Sequence, residues 1–278
     1  MLRALWEDLV GAARIAADFP SYLRLTTDFL LYRPMRFFCP PGLNRERRVR
    51  LRAGIEILYR LNRGDIWALH EIWIREIYRL PDDRSRAIIV DLGANIGLAA
   101  LYLATRYQSS LLIAVEPVPA NADLARRNLE RNNICAQVLL AAAGPKDGTA
   151  HLQQTASSTN STIAFTAAPV TEATHTVAVL GMSSVLRALP PDTPIDLIKM
   201  DIEGSEEALL RGDTSWLQRV RALIVEFHPH LTDPSPLIPV IEASGLERVS
   251  HHTAAPEIVL FVRRDEPAAL PPTRGEIR

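Results

Sequence analysis

Cysteine is nearly missing from this chain: 278 residues hold two, Cys39 and Cys135, far apart and without a CxxC partner. That excludes a disulfide framework and a cysteine-bound structural zinc. Lysine is equally scarce. Lys146 and Lys199 are the only two, and arginine carries the rest of the basic charge, so a lysine inside an apolar run stands out. No apolar run reaches the ~18 residues of a membrane span. The opening stretch, MLRALWEDLVGAARIAADF, interrupts its apolar spacing with Glu7, Asp8 and Arg14 and lacks the core of a signal peptide, so a cytoplasmic protein is expected. An excess of one charge is absent too: the net charge is -1, which advertises no polyanionic partner. Only residues 1–63 are skewed, with about twice as many arginines as acids and a run at Arg45, Arg47, Arg48, Arg50 and Arg52. A solvated helix face or a subunit contact within a homo-oligomer is the first reading of that run, and a docking surface for acidic substrate or membrane headgroups the second.

What is present is a change of pattern near residue 87. Residues 1–80 read as helices punctuated by Pro20, Pro34 and the Pro40-Pro41-Gly42 cluster, and 65–80 ends at Pro81. From 87 onward short aliphatic runs alternate with amphipathic stretches. Strands are expected at 87–93, 111–117, 136–144, 195–201 and 220–229, with helices at 95–106, 119–133, 183–189, 203–211 and 236–244. The segment 148–180 reads as a hairpin and loop, with a Ser/Thr-rich stretch at 155–162, and 247–250 and 258–263 can pair at an edge. Such alternation with continuously apolar strands implies an α/β, doubly wound, mostly parallel sheet covered on both faces, with an antiparallel edge strand and an N-terminal helical extension. The expected division is 1–80 as helical lead-in, 81–265 as the main domain and 266–278 as a loose tail.

The first strand runs into VDLGANIG (90–97), where ligands of open α/β sheets bind. Gly93 lets the backbone turn and approach a ligand, Ala94 follows it, Asn95 tolerates a left-handed conformation, and Gly97 lets the next helix start close to the sheet. A dinucleotide fingerprint would read G-x-G-x-x-G. Here Gly93-x-Asn95-x-Gly97 stands instead, with Asp91 on its strand side, which suits a ligand carrying an ammonium group. The second strand ends in Glu116-Pro117, about 20 residues beyond Gly97, and a carboxylate there can accept from both ribose hydroxyls. Together these favour S-adenosylmethionine over NAD, although a carboxylate at Glu116 alone serves both.

VDLGANIG, AVEPVPAN, IDLIKMDIEGSEEALLRG (195–212) and LIVEFHPH (223–230) resemble the FkbM family of methyltransferases, in matching order and spacing over residues 60–262. NRGDIWALHEIWIREIY (62–78) looks like the helical lead-in of the same family. The resemblance implies a Rossmann-like methyltransferase fold, S-adenosylmethionine as cofactor, and O-methylation of sugars, polyketides or related metabolites. By position it implies a cofactor loop of Asp91, Gly93, Ala94, Asn95 and Gly97, with Glu116 on the ribose and the backbone of Ala142 and Ala143 near the adenine.

For chemistry, the fourth strand delivers Lys199, Asp201 and Glu203 at alternating positions. Two acids beside an amine form a candidate base with its tuning partner. Lys199 can lower the pKa of Asp201 or lose its own proton on burial. A plain structural reading instead has Asp201 or Glu203 capping the helix that follows, with Lys199 as its salt-bridge partner. Glu226 and His228 share a face of the next strand. His228 is a candidate base, and if that face meets Asp201 the donors converge as around a divalent metal, as in metal-dependent O-methylation. Asp65 and His70 on the lead-in are weaker candidates for closing over the acceptor, and the adjacent His251 and His252 diverge. The expected partner is a small-molecule or glycan acceptor, with no nucleic acid, because no basic stripe interleaved with aromatics is present. The competing functions are an NAD-dependent oxidoreductase, a cofactor-binding protein without turnover, and N-methylation; no N-P-P-Y signature stands where KMDIEG does.

Overall fold

A computed structural model describes residues 2–32, 43–154, 161–164, 174–250, 255 and 257–264. Pro34, the Pro40-Pro41-Gly42 cluster, Cys39, most of the Ser/Thr-rich stretch, His251, His252 and the tail from 266 lie outside the described residues.

The centre is a seven-stranded sheet. Strands β3 (Ile88–Leu92), β4 (Leu111–Glu116), β5 (Ala136–Leu140), β10 (Leu197–Met200) and β11 (Ala222–Glu226) run parallel, and β13 (Ile258–Arg263) pairs antiparallel with both β11 and β12 (Leu246–Val249). The spatial order is β12-β13-β11-β10-β3-β4-β5. The final two strands pair as the sequence implies, but the antiparallel one lies one place in from the edge. Alternation of side chains assigns each face its own core. Ile89, Leu112, Leu197 and Ile224 face one layer with Leu101, Leu124 and the N-terminal helices, while Val90, Ile113, Ile198 and Leu223 face the other with Leu186, Leu210 and Trp216. The first layer holds α4 (Leu98–Arg106) and α5 (Pro119–Arg131); the second holds α6 (Met182–Val185), α7 (Glu206–Leu210) and α8 (Ile238–Glu242).

The expected third strand splits after Leu140. Ala142 and Ala143 form β6, which leaves the large sheet for a smaller one built with β7 (Gly148–Gln154), β8 (Ser161–Ala164) and β9 (Thr174–Leu180). Strand order reverses between β3 and β10, the neighbours that start the two halves, and the crevice at their carboxyl ends is where a ligand fits.

The N-terminal region departs from its helical expectation. Helices α1 (Leu2–Ile15) and α2 (Phe19–Tyr32) are present, but β1 (Glu46–Arg50) and β2 (Glu56–Arg60) form an antiparallel hairpin. The arginine run therefore lies on and around a strand. Its β-compatible alternation, with Val49 buried between exposed Arg48 and Arg50, was masked by the arginines. The hairpin is tied to the core through backbone bonds to side chains of α5 and of the residue that caps it: the Asn128 side-chain amide accepts from Leu58 N at 2.7 Å and donates to Leu58 O and Ile96 O, while Oδ1 of the capping Asn132 accepts from Glu56 N.

The lead-in also changes form. Helix α3 (Arg63–Leu69), capped by the Asn62 side chain on Asp65 N, passes into a π turn over His70–Ile74, and the chain then becomes irregular up to Pro81. A π turn inserts an extra residue into the helical period, so the faces expected from three- and four-residue spacing are rotated beyond it. Among the described residues no helix is long and apolar enough to cross a membrane.

Candidate active site

A cavity of about 270 Å³ opens at the carboxyl ends of β3, β4, β10 and β11. Its walls include Gly93, Ala94, Asn95, Glu116, Pro117, Ala142, Ala143, Lys199, Asp201, Glu203 and His228. Of the residues singled out from sequence, Asp91 and Gly97 do not face it.

The loop after β3 is shaped by its glycines. Gly93 has φ +80°, and a Cβ there would lie 1.8 Å from the carbonyl oxygen of Asp201, so the β3 and β10 tips can meet only at a glycine. Gly97, at φ +81°, is pressed against Ala125, which seats α4 against α5. Asn95 adopts the left-handed region at φ 50°. Its amide donates to Glu116 Oε2 at 2.9 Å; Glu116 Oε1 accepts from Val118 N and from the Asn121 side chain. Burial raises the Glu116 carboxyl to about 7, against the pull of those donors. The carboxylate has lone pairs left on the cavity side, and the buried Asn95 Oδ1 has no hydrogen-bond partner among the described residues. A carboxylate with acceptor capacity beyond its three donors, beside an unpartnered amide oxygen and a loop with room for a close approach, fits a nucleoside with free hydroxyl and amino groups.

Across the cavity the wall is charged side chains. Lys199, only 2 % exposed, donates to Gly93 O at 2.8 Å and lies 3.1 Å from Asp91 Oδ1 and 3.4 Å from Asp201 Oδ2. Asp91 does meet an ammonium group, but it is the protein's own. Burial works to lower the Lys199 pKa; the charges of Asp91 and Asp201 outweigh it and raise the value, so Lys199 keeps its proton. The alternative in which burial deprotonates it is set aside.

Strand β10 ends at Met200; Asp201 is still bonded through its N–H to Leu92 O, and the alternation does not reach Glu203. Glu203 sits at φ 52° in a turn, and His228 bridges the gap: its Nε2 is 3.7 Å from Asp201 Oδ1 and 3.5 Å from Glu203 Oε2. Its Nδ1 faces Oε1 of the wholly buried Glu206 at 3.1 Å. Neither Asp201 nor Glu203 caps the next helix, which starts later, at Glu206, with Ser205 as a cap that makes no side-chain bond. Burial pulls the His228 pKa down, but the Glu206 bond and the charges of Asp201 and Glu203 raise it to about 9, so the ring is an imidazolium at neutral pH and not a resting base. Burial and the charge of Asp201 bring Glu203 to about 7 and Glu226 to about 8.

Sequence reasoning missed Tyr78, Glu71 and the part played by Glu206. The buried Tyr78 hydroxyl donates to Glu226 Oε2 at 2.5 Å and lies 3.3 Å from Asp201 Oδ2. Glu71 lines the cavity mouth, with burial raising its carboxyl to about 7. The lead-in motif at 62–78 contains both residues, but the π turn that includes Glu71 and precedes Tyr78 hid which way they point. Asp65 and His70 do not line the cavity. Asp65 is held by Arg60 and Asn62, and His70 lies 3.0 Å from Asp8 and stacks on Trp67.

A doubly wound sheet with a nucleoside-sized crevice at its reversal point and carboxylates opposite a glycine loop defines a methyltransferase of the Rossmann-like class. The description "Methyltransferase FkbM domain" matches residues 91–255, more than half of the chain, and the chain belongs to that family. It is 30% identical over 203 residues to Methyltransferase sdnD of Sordaria araneosa, covering 62% of this chain and 77% of that one. It is 26% identical over 203 residues to the hexuronic acid methyltransferase AglP of Haloferax volcanii, covering 66% and 77%. Among solved structures, the FkbM methyltransferase of Methylobacillus flagellatus aligns with 18% identity and a TM-score of 0.48, over 94% of this chain; the chain spans 59% of that protein's length.

Proposed function

We propose that this enzyme transfers a methyl group from S-adenosylmethionine to a hydroxyl oxygen of a small-molecule or glycan acceptor. The observation that carries the reading is the group of carboxylates, Asp201, Glu203 and Glu226, facing the cavity opposite the Gly93–Glu116 loop. S-adenosylmethionine, when bound, would supply an electrophilic methyl carbon with S-adenosylhomocysteine as the leaving group, which leaves the protein's own residues to orient the acceptor hydroxyl and take up its proton. In this assignment the loop from Gly93 to Gly97 admits the nucleoside, Glu116 accepts from its ribose hydroxyls, and Pro117, Ala142 and Ala143 flank the base. Asp91 acts through Lys199, whose fixed positive charge lies 3.4 Å from Asp201 and orients its carboxylate. Asp201 is the centre of the carboxylate group that engages the hydroxyl and takes up its proton. With Lys199 and His228 both protonated, the carboxylates are the basic groups left. Residues 81–265 serve as the methyltransferase domain and 1–80 as the lead-in, whose Trp67, Ile72 and Tyr78 wall the acceptor side. A hydroxyl-bearing sugar acid, as in the name of the Haloferax volcanii relative, is the first acceptor class to try.

The test uses labelled cofactor with panels of sugar, sugar-acid and polyketide acceptors. Asp201→Asn is expected to abolish methyl transfer while leaving cofactor affinity within about threefold, under 1 kcal/mol. Near-normal turnover in that variant, or occupancy of the crevice by NAD in preference to S-adenosylmethionine, overturns the assignment.

A further inference from the structure

The carboxylate group contains an arrangement that proton uptake does not require. Asp201, Glu203 and His228 each offer one atom, and these atoms all lie within 4.8 Å of one another. Ligands about 2.1 Å from an octahedral cation sit roughly 3 Å apart when adjacent. The observed 3.5 and 3.7 Å separations therefore close with small side-chain movements. A second feature lies behind the ring. Glu206 is wholly buried, holds His228 Nδ1 through Oε1, and leaves Oε2 without a hydrogen-bond partner among the described residues. A cation would displace the Nε2 proton of the imidazolium, and a buried carboxylate on Nδ1 holds the tautomer that then presents Nε2 to the metal. Five acidic side chains, Asp91, Asp201, Glu203, Glu206 and Glu226, converge here on two basic ones, Lys199 and His228, an excess of carboxylate oxygens that a bound cation would satisfy.

We propose that Asp201, Glu203 and His228 bind a divalent cation of the Mg²⁺/Mn²⁺ type, with Glu206 as the positioning residue of His228. Three protein ligands leave open positions facing the cavity. Two neighbouring oxygens of an acceptor fill them, so the substrate class narrows to vicinal diols and α-hydroxy acids. Two carboxylates and one imidazole suit Mn²⁺ and Mg²⁺ better than soft metals. The inference rests on the proposed hydroxyl acceptor for its place in the reaction; with a cation bound, Asp201 would hold the metal and proton uptake would pass from it to Glu226, the carboxylate outside the ligand set.

The experiment titrates Mn²⁺ into the full chain, with and without S-adenosylhomocysteine, and follows it by electron paramagnetic resonance. One saturable site is expected, with pulsed spectra showing coupling to an imidazole nitrogen. Glu203→Gln and His228→Gln should each weaken the site at least tenfold, and Glu206→Gln by about 10-fold to 100-fold. No saturable site up to millimolar Mn²⁺, no nitrogen coupling in the unaltered protein, or affinity unchanged in the folded variants overturns the proposal. The nitrogen coupling needs no variant, so a substitution that fails to fold does not blunt the test. Cofactor binding measured on the same samples separates the two readings. Cofactor bound without a metal site removes this inference alone, whereas no cofactor binding removes the proposed function as well.

Discussion

Along its β3–β4 side the cavity is walled by backbone, with Gly93, Ala94, Asn95 and one carboxylate, Glu116; along its β10–β11 side it is walled by ionisable side chains from Lys199 to His228. On the first side shape is set by positive-φ residues within one eight-residue segment. On the second, geometry depends on polar and charged side chains brought from three separate segments, around 78, 199–206 and 226–228. A backbone wall binds the same ligand surface every time and tolerates few substitutions. A side-chain wall can be tuned one residue at a time, and it is where acceptor choice and proton handling belong.

The two sides touch at Gly93, and the substitution that breaks both at once is the largest expected effect. In Gly93→Ala the new Cβ meets the Asp201 carbonyl oxygen at a backbone-to-backbone clash, and the residue is held at a φ that L side chains resist. The expected loss is about 2–5 kcal/mol of folding stability, read by urea denaturation, together with loss of cofactor binding. A variant of near-native stability would mean that the loop and the β10 tip are not held together as described.

Glu116→Gln acts on the backbone side alone. Losing a charged acceptor is expected to weaken S-adenosylmethionine binding by about 1.5–3 kcal/mol, roughly 10-fold to 150-fold, with stability preserved. The pH dependence sharpens this. With its carboxyl raised from 4.5 to about 7, Glu116 in the folded, ligand-free chain holds a proton that the unfolded chain has released, so its contribution to stability falls as pH rises through that window. Binding a cationic nucleoside through its hydroxyls favours the ionised form, so affinity should climb about tenfold between pH 6 and 8 and flatten above. Calorimetric titration across that range checks it, and the slope should vanish in Glu116→Gln.

The same contrast explains what the sequence made legible. Gly93, Asn95, Gly97 and Glu116 form a local code: spacing along one strand, one turn and the next strand tip determines where they lie, and each of them except Gly97 lines the cavity. The parallel sheet was readable for a similar reason, since aliphatic runs buried on both faces leave few alternatives. Lys199 drew notice through its rarity, but its protonation depended on Asp91, a residue more than a hundred positions away in sequence. Tyr78 was invisible because a π turn resets the helical period ahead of it, and the β1–β2 hairpin because arginines hid its alternation. What periodicity and spacing cannot carry is the convergence of distant side chains, and the charged wall consists of little else.

Tyr78→Phe probes that wall with the smallest change. The hydroxyl donates to Glu226 and approaches Asp201, so its loss removes one hydrogen bond from the carboxylate group without altering packing, because the ring itself is retained in its buried site. A buried carboxylate stripped of its donor would be costly, but Glu226 is only half-buried and faces the cavity, where water can replace the phenol. Asp201 keeps Lys199 at 3.4 Å in any case. The expected outcome is a fall in kcat/KM of up to about tenfold, near 1.4 kcal/mol, with cofactor affinity unchanged and unfolding shifted by less than that. A much larger loss would show that Tyr78 touches the acceptor itself, and an altered cofactor affinity would show that the two walls are not as separate as their construction implies.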